Sequence, residues 1–485
     1  MRIDRDGPVI VWLRNDLRLA DNPALAAAAA TGRPVIPLYI FDESPSVRPM
    51  GAASLWWLDK SLTALAASLE AIGSRLILRR GPTREVLEDL IAHAQPAAVV
   101  WNRLYDAASI DRDGGLKAWL KDEGIACESF NAGLLNEPWT VKNGAGQPYK
   151  VFTPYWRAAR DRLHHVQVEP APNALPAPAR WPPTEALESW RLHPTKPDWS
   201  TRFDLWTPGE GGAAERLDDF LSSPVQHYDR QRDLPGVEAT SRLSPHLHFG
   251  EIGPRQVWVA ARNAVEASDA PAGPVETFLS EIGWREFNHS ILFHNPDLPK
   301  ANFRPEFDGF PWMRDDAAFE AWTRGETGYP IVDAGLRELW ATGFMHNRVR
   351  MIAASFLVKH LLIDWRAGEA WFWDALVDAD LANNVGNWQW VAGSGADAAP
   401  YFRIFNPIAQ GQKFDPVGAY VRRWVPELAS LPDALIHEPW KASAQLDPAA
   451  RRIYGEPIVG HPAARERALA AYRGLKGEQI SREGR

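Results

Sequence analysis

The sequence predicts a doubly wound parallel α/β domain followed by a large all-helical domain. Three observations predict this: short apolar runs alternate with helically spaced stretches up to about residue 130, a proline-rich passage interrupts the pattern, and beyond residue 205 strand-like alternation nearly vanishes. Apolar runs at 9–13, 34–41, 75–79 and 97–101 read as strands, with helical spacing of apolar residues at 52–72 and 83–93 between them. A helical stretch at 110–123 and a strand-like run at 125–130 extend the same Rossmann-like repeat, and the domain is expected to occupy residues 1–165. Residues 166–205 should be an extended linker, since Val166 to Trp199 holds eight prolines and no sustained periodicity. The remainder, 206–485, shows helical spacing at 211–221, 254–267, 275–293, 331–341, 347–363 and 370–379. Local signals support these helices: Pro330 suits a first turn, Gly343 a terminator, and Ser244-Pro245 an N-cap followed by proline.

Composition narrows the class. A chain of 485 residues is too long for one core, and its 45% apolar content is that of a globular protein. The single cysteine, Cys127, excludes an intrachain disulfide framework and multi-cysteine metal sites, which suits a reducing compartment. The segment Met1 to Leu13 is too short for a secretory core or a membrane span, so a soluble cytoplasmic protein is expected, with no metal and no membrane partner. A net charge of −8 argues against diffuse coating of nucleic acid, while leaving room for a local basic groove. The 23 tryptophans are the anomaly; singly each reads as packing material, but sixteen lie beyond residue 180.

Three constellations carry chemistry. Thr240-Ser241-Arg242-Leu243-Ser244 sets hydroxyls and an arginine before a helix start, which reads as a phosphate cradle or as an ordinary capped helix. On the helix beginning near Asn347, spacings of three and four residues put Asn347, Arg350, Met351 and Ala354 on one face. Downstream, Asp378-Ala379-Asp380 can neutralise a buried Arg350, with Asn384 just beyond.

These residues, with Trp12-Leu13-Arg14-Asn15-Asp16-Leu17-Arg18, Glu281-Ile282-Gly283-Trp284-Arg285-Glu286-Phe287, Thr327 to Asp333 and the run from Gly343 to Phe405, resemble the DNA photolyase and cryptochrome family in motif and in order. The resemblance covers nearly the whole chain and is strongest to bacterial enzymes that repair cyclobutane pyrimidine dimers. It implies that the helical domain binds FAD and that the reaction is light-driven electron transfer to UV-damaged DNA, carried out by a monomer. By the same resemblance Tyr228, Thr240, Ser241, Arg242, Leu243, Ser244, Asn347, Arg350, Asp378, Asp380 and Asn384 contact the cofactor. Arg350 and Asp378 form an ion pair beside the flavin ring, and Asn384 sits near its N5, where a hydrogen bond tunes the cofactor's electronics. Glu281, Trp284, Asn347, Met351 and Trp390 match the pocket for the flipped dimer. Arg232, Arg348, Arg403 and Lys413 match phosphate contacts, and Trp388, Trp365 and Trp312 match an electron relay. The catalytic set implied is therefore Glu281, Asn384 and the three relay tryptophans.

Within the family, Asn384 favours a repair enzyme over a cryptochrome-type photoreceptor, since plant cryptochromes usually place an acid there and insect ones a cysteine. Met351 favours cyclobutane dimers over the (6-4) lesion, whose enzymes carry a histidine. For a second, antenna chromophore the resemblance suggests methenyltetrahydrofolate first and an 8-hydroxy-deazaflavin second; Lys300 keeps a basic residue of the folate site, whereas Ser109 stands where many folate-binding relatives have a glutamate.

Overall fold

The computed structural model describes residues 3–398 and 402–483, so that residues 399–401, within the family-like run to Phe405, lie outside the described residues. Five parallel strands, β1 (Val9–Leu13), β2 (Val35–Asp42), β3 (Ile77–Gly81), β4 (Ala98–Asn102) and β5 (Ala126–Phe130), form one sheet in the order β3-β2-β1-β4-β5. Every residue of β1 and β4 is buried, which is why both read as continuous apolar runs rather than alternating ones. Helices Ala52–Ala71, Thr83–Ala94 and Ala107–Asp122 connect strands as expected, and a short helix, Pro23–Ala29, is added between β1 and β2. Its alanine-rich sequence has little amphipathic contrast, but Asn22 caps it by accepting from the Leu25 amide at 3.1 Å.

Where the strand order reverses, between β1 and β4, a sheet of this kind normally opens a ligand crevice. Here Arg14 and Trp101 meet on Asp113. Arg14 pairs with both oxygens of Asp113 at 3.0 and 2.8 Å and lies 4.3 Å from the Trp12 ring centre, while Trp101 donates its indole N–H to Asp113 at 3.1 Å.

The proline-rich segment runs along the sheet's edge. Glu185 donates to the Leu78 carbonyl at 2.9 Å and Leu78 donates to the Thr184 hydroxyl at 2.9 Å, so edge strand β3 is covered rather than left open. Trp190, Leu192, Phe203 and Trp206 from the same stretch are buried in the core of the α/β domain.

The rest is helical, built around the long helix Ala272–His294. Tyr155, Trp156 and Ala159, on the helix Phe152–Arg160, pack into the helical core rather than against the sheet. Buried polar groups join the two parts. Glu286 accepts from the Leu135 and Asn136 amides at 3.0 Å, and fully buried Arg18 donates to the carbonyls of Gly250, Ala132 and Asp21 at 2.9, 3.0 and 2.7 Å.

Two helix boundaries differ from the sequence-based expectation, and both lie beside the cavity described below. The helix expected at 347–363 is α-helical only over Asn347–Ser355 and continues as a π-turn, Phe356–His360, in which Phe356 stacks on His360 at 4.9 Å and His360 bonds His461 at 2.8 Å. The helix expected at 370–379 is instead Trp365–Ala375, followed by a non-helical link and a new helix, Leu381–Ala392. Asp364 and Asp380 decide this, each accepting the amide of a first-turn residue, Arg366 at 2.9 Å and Asn383 at 2.8 Å. Ser244 opens the helix Ser244–Phe249 but Leu243 occupies its N-cap position, because the Ser244 hydroxyl donates to Asp378 at 2.6 Å.

Gly283 permits a close contact between two helices of the core: a Cβ there would lie 2.5 Å from the Trp156 ring. Gly283→Ala should therefore cost about 1–3 kcal/mol through overpacking, read as a lower thermal midpoint; an unchanged midpoint would show that Trp156 yields freely.

Candidate active site

A cavity of about 480 Å³ opens into the helical domain, within the range that holds a large cofactor. Its lining gathers segments far apart in sequence: Tyr228 and Arg232, the Thr240–Ser244 run, Glu281 and Trp284 from the long helix, the 347–354 helix face, Asp378 and Asp380, and Asn384, Trp388 and Trp390. The four residues assigned to one face of the 347 helix, Asn347, Arg350, Met351 and Ala354, all reach it. Five arginines and three carboxylates line the wall, so a basic cavity sits in an acidic chain. An anionic group is favoured there.

The ion pair expected from sequence forms. Arg350 donates Nη1 and Nη2 to the two oxygens of Asp378 at 3.1 and 2.8 Å, its Nε to the Met345 carbonyl at 2.6 Å, and its guanidinium lies 5.1 Å from the Phe344 ring centre. Asp380 is held differently. One oxygen accepts from the Asn383 amide and side chain at 2.8 and 2.7 Å, while the other faces His289 at 3.5 Å and His248 at 3.9 Å. Burial alone would raise its carboxyl, but His289 and His248 facing it, together with Arg285, hold it well below the usual carboxylate range.

Asn384 is buried, and its amide NH2 donates to Glu369 twice, to Oε1 at 2.8 Å and to the backbone carbonyl at 3.0 Å. Both partners accept only, so the amide oxygen is the atom left for the cavity. Arg242 takes a left-handed backbone, φ 51°, rare for a residue with a side chain. That turn sends its side chain to the cavity wall beside Thr240 and Ser241.

The aromatic walls are braced from behind. Trp284 stacks on Phe152 with ring centres 3.8 Å apart; the Phe152 amide donates to Asp397 Oδ2 at 3.2 Å, and Trp390 donates its indole N–H to the Asp397 carbonyl at 3.1 Å. Glu281 pairs with Arg232 at 2.5 Å, and Arg348 with Asp233 at 2.8 Å, so both arginines are already neutralised at the wall. Burial raises the Glu281 carboxyl above its ordinary range, with Arg232 opposing. Arg403 and Lys413 are exposed and do not line the cavity; Lys413 lies 5.0 Å from the Phe414 ring centre, with Arg348 4.5 Å from the same ring.

Of the three relay candidates, Trp388 lines the cavity, Trp365 is fully buried with its indole N–H on Asn302 at 3.0 Å, and half-buried Trp312 packs on Phe310 at 4.4 Å. Trp388 rests on Gly368, where a Cβ would meet its ring at 2.1 Å, and Gly368 lies one turn beyond Trp365. The two antenna candidates show no such gathering: Ser109 is buried with its amide on Asp106 at 2.9 Å, whereas Lys300 is exposed and offers its carbonyl to Arg366 at 2.8 Å. Among the described residues no cluster of histidine, cysteine or carboxylate side chains is arranged for a metal ion, and no helix is long and apolar enough to cross a membrane.

Family comparison accounts for this arrangement. Residues 9–179 match the DNA photolyase family model, and residues 278–474 match that of the FAD binding domain of DNA photolyase. The chain belongs to the DNA photolyase family. It is 52% identical to a deoxyribodipyrimidine photo-lyase of Agrobacterium fabrum, covering 97% of this chain and 99% of that one. The crystal structure of a bacterial class III photolyase from Agrobacterium tumefaciens superposes with a TM-score of 0.92 at 51% identity, covering 98% of each chain. Cryptochrome-2 of Arabidopsis thaliana is 39% identical, over 98% of this chain and 80% of that protein. The fold class and family read from the sequence agree with these matches.

Sequence reasoning missed the residues that steady this site in the photolyase-family chain: His248 and His289 beside Asp380, Glu369 on Asn384, and Asp397 behind the aromatic walls. None stands at a periodic spacing from its partner. His346 is another, capping its helix by accepting from the Arg348 amide at 3.2 Å. Burial, together with Arg242, Arg350 and Arg348, lowers its imidazole to about 4 despite Asp233. An unfolded histidine takes up a proton near pH 6.5, but folded His346 stays neutral down to about 4. Its stabilising contribution is therefore present above 6.5 and lost as the pH falls through that window. Thermal midpoints between pH 7 and 4 should fall less steeply in His346→Asn, which keeps a capping acceptor; parallel slopes would exclude His346.

Proposed function

We propose that this protein is a light-driven DNA repair lyase that splits cyclobutane pyrimidine dimers. The observation that carries the reading is the meeting, in one basic cavity, of the Arg350–Asp378 pair, the inward-facing oxygen of Asn384, and Glu281, Met351, Trp284 and Trp390. The relatives' names agree with it, since the most similar curated proteins include deoxyribodipyrimidine photo-lyases. The cavity suits FAD: Thr240, Ser241 and Arg242 offer donors for phosphates, and the ion pair and Asn384 offer charge and an acceptor for the ring system. When bound, reduced FAD supplies an electron to the dimer on blue-light excitation and takes it back after the ring opens, with no net redox change.

The protein's part is to bind, orient and exclude water. Trp284 and Trp390, braced through Phe152 and Asp397, present flat walls to an extruded pyrimidine pair, which a dimer reaches at low cost because it is already poorly stacked. Glu281 and Asn347 provide polar groups for base edges, and Met351 fills the remaining wall. Phosphates of the damaged strand exchange places with the carboxylates now paired to Arg232 and Arg348, while exposed Arg403 and Lys413 extend the contact. Trp388, Trp365 and Trp312 form the route by which a bound flavin is re-reduced from the surface. A cytoplasmic monomer is part of the same proposal. So is an antenna, methenyltetrahydrofolate ahead of an 8-hydroxy-deazaflavin.

Illuminated, reduced protein should convert a dimer-containing oligonucleotide to intact pyrimidines and leave a (6-4) lesion untouched. An unchanged dimer with a light-driven structural response would favour a photoreceptor instead, and conversion of the (6-4) lesion alone would reassign the substrate. Trp365→Phe should abolish steady photoreduction while sparing repair by chemically reduced protein, so unimpaired photoreduction would remove Trp365 from the route.

A further inference from the structure

The α/β domain meets the groups that form or back the cavity wall at several points, and one of these contacts is an ion pair. Arg48, in the loop between β2 and the helix Ala52–Ala71, makes a two-pronged ion pair with Glu369, Nη1 to Oε1 at 2.7 Å and Nη2 to Oε2 at 3.0 Å. Oε1 is the same oxygen that receives the Asn384 amide at 2.8 Å. The loop is locked where it meets the helix Trp365–Ala375. Arg48 lies 4.1 Å from the Trp373 ring centre, Trp373 donates to the Pro49 carbonyl at 2.8 Å, Ala52 donates to Asp374 at 2.9 Å, and a Cβ on Gly51 would sit 2.1 Å from the Trp373 carbonyl. The Glu369 side chain is 7% exposed, so its charge needs a partner, and Arg48 supplies it.

We infer that Arg48 is a positioning residue that sets the redox preference of the bound flavin from the other domain, by holding Glu369 so that Asn384 turns its carbonyl oxygen, not its NH2, toward the cavity. The inference rests on the flavin reading of that cavity. An ionised carboxylate and a backbone carbonyl only accept, so the Asn384 NH2 must face Glu369 as long as Glu369 stays in place and charged. An oxygen aimed at a ring nitrogen favours its protonated, reduced form; an NH2 group favours the unprotonated, oxidised one. Without Arg48 the carboxylate loses its anchor, its rotamer is freed, and the amide can flip. The flavin then becomes harder to reduce although no residue of the cavity wall has changed.

The test is a spectroelectrochemical titration of the full-length, FAD-loaded protein. Arg48→Ala should lower the flavin midpoint potential, with Arg48→Lys, which keeps the charge but not the fork, lying between it and the parent. In an Asn384→Ala background the same Arg48→Ala change should have no further effect, because the amide that transmits it is gone. An unmoved potential in Arg48→Ala overturns the inference, and so does an equal fall with and without Asn384, which would mean that the arginine acts through its charge alone. If Arg48→Ala does not retain flavin, Arg48→Lys and Glu369→Gln carry the same reading. A parent that binds no flavin overturns the cavity assignment as well, whereas a coloured parent with unmoved potentials overturns this inference only.

Discussion

Burying charge inside a helical core sets the terms for everything else in this molecule. A carboxylate in such a place is tolerable only with a counter-charge in good geometry, and half-buried Arg350 meets that demand for buried Asp378, joining the 347–355 helix to the non-helical link at 376–380. Ser244 completes the joint by donating to the same aspartate. Three segments that are remote in sequence are thereby held around one space. Apolar packing alone would have closed it.

The same rule recurs around the wall. Glu281 is paired with Arg232, Arg348 with Asp233, and Glu369 with Arg48, while His248 and His289 face Asp380. Two of these pairs, Arg232–Glu281 and Arg348–Asp233, are partly open to solvent, so an incoming polyanion can displace the carboxylate at little cost. In the Arg48–Glu369 pair the carboxylate is the closed partner, 7% exposed against 34% for the arginine, and it acts as scaffold. A site of this kind separates what must be rigid, the surroundings of the cofactor, from what must exchange partners, the rim that meets the strand.

The α/β domain supports this arrangement, and at its own switch point Arg14 and Trp101 both bond Asp113. Its buried contacts reach across to the helices: Arg18 bonds the carbonyl of Gly250, Leu135 and Asn136 bond Glu286, and Arg48 bonds Glu369. Docking of the two parts combines apolar packing, such as Trp57 on Phe249, with these directional bonds, which set its orientation.

The sequence alone determined what depends on short-range pattern. Strand and helix alternation up to Phe130, the capping and terminating signals at Pro330 and Gly343, and the shared face of Asn347, Arg350, Met351 and Ala354 were all legible, because apolar periodicity and turn chemistry act within a few residues. Motif order pointed to the family. The tertiary structure decided the rest. The end of the helix at Ala375 and its restart at Leu381 followed from the Asp380 cap, and whether Tyr155 and Trp156 join the sheet or the helices is nowhere written in local spacing. Likewise Glu369, Asp397, His248 and Arg48 earn their places only through partners brought close by folding: an ion pair or hydrogen bond is a relation between two positions, and nothing in the spacing of either one announces the other.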